Sequence, residues 1–393
     1  MPAPVAQAGL QVDDSPPEQP APRWRAPMAR PSPPPEPREH LPTWTWRTRP
    51  RARAPSTAAV LSLHAARVQA PHPEFEDITT IDGVCEVLWA PPADSAHSAS
   101  EPTLLIEIPH GATRTSDYVD LRLRLAGPLP HELEHFFYVN TDIGAPECAE
   151  YIADRLAALG FGVLILRCCV PRTFIDCNRV VAGVPGAMID GMTPARASYI
   201  REPLDAVLLA DLHRRYHALV ERAYARVCGR GGLGLQLHSY APRSIGVDKV
   251  DDDIVSALHA AYEPALYATW PERPAVDLIC AGPEGMLADP ALIADLRARY
   301  AAIDIGAEEN ATYRLHPATM GYQYARSYPA QVLCVELNRG LLANPFVPFG
   351  ESPIDPGSVA RLSRPIADAL QSSLDRRRRS EEHTSELQSP LNI

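Results

Sequence analysis

Between residues 74 and 375 the chain alternates two kinds of apolar pattern. Five short continuous runs are "TLLIEIP" (103–109), "GVLILRCCV" (162–170), "LGLQLHSYA" (233–241), "AVDLICAG" (275–282) and "AQVLCVELN" (330–338). Their length and branched content predict buried strands. Between them lie segments with helical spacing. "APECAEYIADRLAALG" has Pro146 in its first turn and a closing Gly160, as a helix should. "EPLDAVLLADLHRRYHALVERAYARV" (202–227) is long and amphipathic, and "DPALIADLRARYAAI" and "DPGSVARLSRPIADALQSSL" follow the same pattern. Strands alternating with helices imply an α/β fold, with a mostly parallel or mixed central sheet covered by helices on both faces.

The two ends do not share this pattern. Seventeen of the 42 prolines precede Glu74, which predicts a Pro-rich arm over residues 1–73, disordered or in polyproline II. The arm reads as a spacer, although "PSPPPEP" has the form of an SH3 or WW ligand and "WTWRTRPRAR" could touch an anionic surface. At the other end, "RSEEHTSELQS" resembles the translation of a sequencing adapter, so residues 376–393 are expected to be a disordered tail foreign to the fold. One catalytic-sized domain, 74–375, remains.

Charge narrows the partners. Of the net −11, residues 1–73 contribute +4 and residues 376–393 contribute +1, leaving −16 on the middle, which argues against a nucleic-acid-binding face. No run of about twenty apolar residues and no secretory signal is visible, so a cytoplasmic protein without a membrane span is expected. Eight cysteines without a CxxC pair read as small buried hydrophobes in a reducing compartment. Lys249 is the single lysine, which excludes most Schiff-base and Walker-type chemistry. "GRGGLG" (229–234) matches GxGxxG, but it follows a helix and leads into a strand, the reverse of a dinucleotide site, and is a turn. No GxSxG elbow occurs.

What remains is a set of polar residues at strand ends, where open α/β sheets place their ligands. His110 follows "LLIEIP", His238 closes "LGLQLH", and Asp142 in "YVNTDIG" lies just before a helix. Two neutral imidazoles and a carboxylate, with a fourth position for water, make a catalytic zinc set. Separately, Asp142 could cap its helix and either histidine could be a satisfied core residue. "PRTFIDCNR" places Arg172, Asp176, Asn178 and Arg179 after the second run, as guanidinium forks suited to a carboxylate or as a surface salt-bridge cluster. "VLCVELNR" buries Glu336 in an apolar strand, as a general base facing an activated water or as a partner for Arg339.

At these residues the sequence resembles the N-formylglutamate amidohydrolase family, relatives of zinc carboxypeptidases and aspartoacylases. "IPHGAT", "TDIGA" with its helix, "RTFIDCNR", "LHSYAP" and "VELNR" carry the resemblance, across about 74–375. It implies a zinc-dependent exopeptidase-like sheet, with one divalent ion, zinc, on His110, Asp142 and His238. Asn178 and Arg179 would hold a substrate carboxylate, supported by Arg172 or Arg243, and Glu336 would be the catalytic base. The carboxypeptidase HxxE pattern is absent, since Thr113 stands in place of the Glu, so the carboxylate ligand is Asp142 or else Glu147. Ala241 in "HSYAP" replaces an expected threonine. The implied reaction is hydrolysis of N-formyl-L-glutamate, a small-molecule substrate, to formate and L-glutamate. The alternatives are a zinc carboxypeptidase, a deacylase for another N-acyl amino acid, or a catalytically silent binding protein. Oligomeric state is not legible.

Overall fold

The computed structural model describes residues 77–93, 101–181, 192–247 and 249–388, with side chains as far as residue 380. The arm expected over 1–73 lies outside these residues.

All five predicted strands form, and they join two others in a seven-stranded sheet. In chain order these are β1 (Cys85–Ala90), β2 (Leu104–Ile108), β3 (Val163–Cys168), β4 (Leu233–Tyr240), β5 (Val276–Ile279), β8 (Ala307–Glu309) and β9 (Val332–Asn338), while β6 (Ala281–Gly282) and β7 (Gly285–Met286) make a separate small hairpin. The spatial order is β1-β3-β2-β4-β9-β5-β8. Strands β3, β2, β4 and β9 are mutually parallel, whereas β1 against β3 and β5 against β9 are antiparallel. The sheet is therefore mixed.

Side chains along the strands alternate between two cores, as the pleat requires. Leu105, Leu164 and Leu166 face α1 (Thr115–Arg122), α2 (Leu133–Asn140), α4 (Pro203–Val227) and α5 (Ile254–Ala261). Leu104, Ile106, Ile108, Val163 and Ile165 face α3 (Ala145–Ala158), α6 (Pro290–Ala301) and α8 (Pro356–Gln388). A further helix, α7 (Met320–Ser327), packs Tyr322 and Tyr324 into the first layer. Each fully buried Leu or Ile contributes about 1.5–3 kcal/mol, so helices cover both faces for the same reason that the strands read as continuous apolar runs.

Two sequence expectations meet their outcome here. "GRGGLG" is a turn between α4 and β4. Helix α8 crosses the boundary expected at residue 375 and runs on to Gln388. Arg377 donates to the Ala330 carbonyl at 2.6 Å and the Arg378 guanidinium lies 4.8 Å above the Phe161 ring, which ties that turn of helix to the domain. All eight cysteines are unpaired, seven of them buried.

Candidate functional site

The four parallel strands send their C-terminal ends to one edge of the sheet, and the candidate residues gather there. His110 stands two residues beyond β2, and Asp142 lies in the turn between α2 and α3. Thr141 Oγ1 donates to the Ala112 carbonyl at 2.7 Å and joins those two loops. Gly144 ends the turn with φ of 83°, and a Cβ there would meet Leu342 Cδ1 at 2.8 Å, so only glycine suits both the conformation and the space. His238 lies within β4 rather than at its end, in register with Glu336 on β9. Partners in register on adjacent strands project to the same face, which sets His238 and Glu336 side by side.

These residues line a cavity of about 950 Å³, with Arg172, Asn178 and Arg179 among its walls. His110, Asp142 and His238 are buried, and their ligand atoms all lie within 4.8 Å of one another. Asp142 Oδ2 is 3.2 Å from His110 Nδ1 and 2.9 Å from His238 Nδ1. The outer ring nitrogens face acceptors: His110 Nε2 is 2.8 Å from Asp176 Oδ1, and His238 Nε2 is 3.1 Å from Gln236 Oε1. In the tautomer with the N–H at Nε2, which matches those acceptors, both Nδ1 lone pairs converge on the Asp142 carboxylate. Burial disfavours the Asp142 charge; when the histidines are instead protonated, their charges and Nδ1–H bonds outweigh burial and hold the carboxyl below the usual range. Three converging electron donors in a buried site fit a cation, and the set of two imidazoles and one carboxylate fits zinc.

The surrounding hydrogen bonds hold each histidine in place. Asp176 also accepts from the Asn178 backbone N–H at 2.8 Å and from Arg172 at 3.0 Å. Burial opposes its ionisation, but Arg179, Arg172 and His110 keep it well below the ordinary carboxylate range. The salt-bridge cluster that the sequence also allows does form, with Arg172 at 3.0 Å and Arg179 at 3.7 Å from Asp176, but the carboxylate at its centre is buried rather than on the surface. Behind His238, Gln236 Nε2 donates to Glu107 Oε2 at 3.0 Å, and Glu107 accepts from Tyr216 and Tyr224, each at 3.0 Å. Glu107 is fully buried on β2, and burial pushes its carboxyl up against the pull of those three donors. A Cβ on Gly321 would sit 2.4 Å from Gln236 Oε1, so that glycine clears the space in which the amide reaches His238.

Glu336 faces the cavity with Oε2 buried and unpartnered. Burial pushes its carboxyl up to about 7. A carboxylate poised near neutral pH suits proton transfer. Arg179 likewise lines the cavity with its Nε buried and unpartnered, and Asn178 is fixed by accepting from the Gly321 N–H at 3.2 Å.

Two candidates turn out differently. Glu147 sits exposed in the first turn of α3, and Asp142 is the carboxylate that meets the histidines. Arg243 lines the cavity, but its guanidinium is engaged, donating to the Trp270 carbonyl and to Glu272, each at 2.6 Å. The sequence reading missed Arg273, which also lines the cavity, its guanidinium 5.1 Å from the Tyr240 ring and 5.4 Å from that of Tyr313. It missed Glu107 as well, although an acid inside "LLIEI" is the same signal that singles out Glu336 in "VLCVEL".

Comparison with known proteins yields one family and several similar structures. The sequence model of the family described as N-formylglutamate amidohydrolase matches residues 103–343. Among solved structures, an N-formylglutamate amidohydrolase from Ralstonia eutropha is similar at 16% identity and a TM-score of 0.48, over 76% of this chain and 99% of that one. A gene product of Agrobacterium tumefaciens is similar at 16% identity and a TM-score of 0.43, over 74% and 95% of the two chains. A succinylglutamate desuccinylase from Chromobacterium violaceum is similar at 12% identity and a TM-score of 0.33, over 72% and 64%. No curated protein matches the sequence.

Proposed function

Because the chain belongs to the N-formylglutamate amidohydrolase family, we propose that it hydrolyses the amide of an N-acyl amino acid, with N-formyl-L-glutamate as its substrate and one zinc ion as its cofactor. The observation that carries the reading is the convergence of His110 Nδ1, His238 Nδ1 and the Asp142 carboxylate within a buried cavity that also holds the unpartnered Oε2 of Glu336. His110, Asp142 and His238 are the residues that would hold the ion. When bound, it supplies Lewis acidity, polarising a carbonyl and making a water easier to deprotonate.

Glu336 acts as the base. It takes a proton from the attacking water and delivers it to the amine nitrogen as the C–N bond breaks, giving formic acid and the free amine; the acid's remaining proton passes to the amine, so that formate and the ammonium product leave with no net proton on the enzyme. Arg179, with its free Nε, holds the substrate carboxylate, helped by Asn178 and Arg172. Arg243 contributes as a wall of the cavity more than as an anchor, since its donors are engaged. Fixing the carboxylate fixes the amide relative to Glu336, and this positioning turns binding into rate.

The test is a panel of N-formyl and N-acetyl amino acids scored for released amine. The reading expects the highest kcat/KM for N-formyl-L-glutamate. Equal turnover across the panel would remove the substrate assignment, and no turnover of any member would remove the reaction.

A further inference from the structure

Residues 131–135 read His-Glu-Leu-Glu-His, the HExxH spacing. That spacing brings two histidines to one ion only when the whole motif is helical. Here α2 begins at Leu133, Glu132 adopts the left-handed conformation with φ of 53°, and the His131 side chain is 91% exposed. The motif does not close on itself. Instead His135 turns to α5, where its Nδ1 lies 3.0 Å from His259 Nε2, and the Glu132 carboxylate lies 3.9 Å from the same Nδ1.

The ligand atoms of Glu132, His135 and His259 all fall within 4.8 Å of one another. Ligands about 2.0–2.1 Å from a tetrahedral ion stand about 3.3–3.4 Å apart, close to the mean of the two distances observed. The Phe349 ring stacks on His259 with centroids 4.3 Å apart and lies 5.5 Å from His135, which closes one side with an apolar wall. We propose that Glu132, His135 and His259 form a second divalent-metal site that clips α2 to α5. Imidazole-rich sets favour zinc, nickel and copper over magnesium and calcium, so the ion belongs to that class. The clip bears on the cavity, because Phe136 and Val139 of α2 line it. This site shares no ligand with the first centre and does not rest on the proposed reaction.

A proton shared between the two rings would also hold them 3.0 Å apart, and metal counting separates the two cases. The full chain, stripped with chelator, is dialysed against micromolar zinc in a His110→Ala/His238→Ala background. One zinc per chain should remain, and zinc should raise the melting temperature by several degrees. Adding His259→Ala should abolish both effects. In the otherwise unchanged chain, His259→Ala should reduce bound zinc from two equivalents to one, an arm that survives if the double variant fails to fold. No zinc retained in the double background, provided that variant shows the wild-type circular dichroism, would overturn the site. So would binding that His135→Ala and His259→Ala leave unchanged in the otherwise unchanged chain.

Discussion

His238 on β4 and Glu336 on β9 are partners in register across two parallel strands, so the backbone ladder sets the spacing between a candidate metal ligand and the candidate base. Backbone pairing is stiffer than any loop, and the arrangement places the proton-handling group without depending on loop closure.

Glu336→Gln keeps the size of the side chain and removes its basicity. We expect kcat to fall about 10²–10⁴-fold with metal content unchanged, measured by amine release and elemental analysis. A variant that lost its metal along with its activity would place Glu336 among the ligands instead.

Gln236 orients His238 by accepting from Nε2–H while Glu107 holds the amide from behind. Replacing Gln236 with Leu should lower zinc affinity about 10–100-fold in chelator competition, because the ring loses the hydrogen bond that fixes its tautomer. Gln236→Glu retains an acceptor and should recover part of the loss. Equal affinities in all three proteins would show that Gln236 only fills space.

Arg179→Ala removes the guanidinium whose Nε lacks a partner. A hydrogen bond to a charged group is worth about 1.5–3 kcal/mol, so kcat/KM should drop about 10–100-fold, chiefly through KM. Arg243→Ala, which breaks contacts to Glu272 and Trp270, should affect stability more than KM.

Glu86 gives the clearest pH signature. Its hydrogen bond from Arg167 holds the carboxyl down to about 2, from an ordinary 4.5. The folded value is the lower one, so this stabilisation is complete above about pH 4.5 and disappears as pH falls toward 2. Arg167 also donates to the Gly111 carbonyl at 2.6 Å, so the same network supports the loop that carries His110. Discounted for the partial exposure of Glu86, Glu86→Gln should cost about 1–2 kcal/mol at pH 7. Thermal melts of the two proteins should converge as the pH approaches 2.

The strands were legible because burial on both faces leaves continuous apolar runs, and His110 and His238 were legible because each lies at or near the end of one. Strand β1 was harder: "CEVLWA" carries a charge and sits at the sheet edge, where one side needs no covering. Helix α2, "LEHFFYVN", is aromatic and short, a pattern that suits helix or strand equally well. Glu107 stayed hidden for another reason. Its partners Tyr216, Tyr224 and Gln236 lie 109, 117 and 129 residues away, so nothing local shows that the charge is satisfied. The link from Asp176 to His110 likewise spans 66 residues, and without it Asp176 reads as an ordinary surface acid.

The most direct measurement is formate release from N-formyl-L-glutamate by chelator-stripped protein, before and after zinc is restored, in wild type and in Asp142→Ala. Stripped wild type should be inactive and should recover with zinc, while Asp142→Ala should stay inactive at the same zinc concentration. Full activity without metal, or an Asp142→Ala protein as active as wild type, would contradict the centre built on His110, Asp142 and His238.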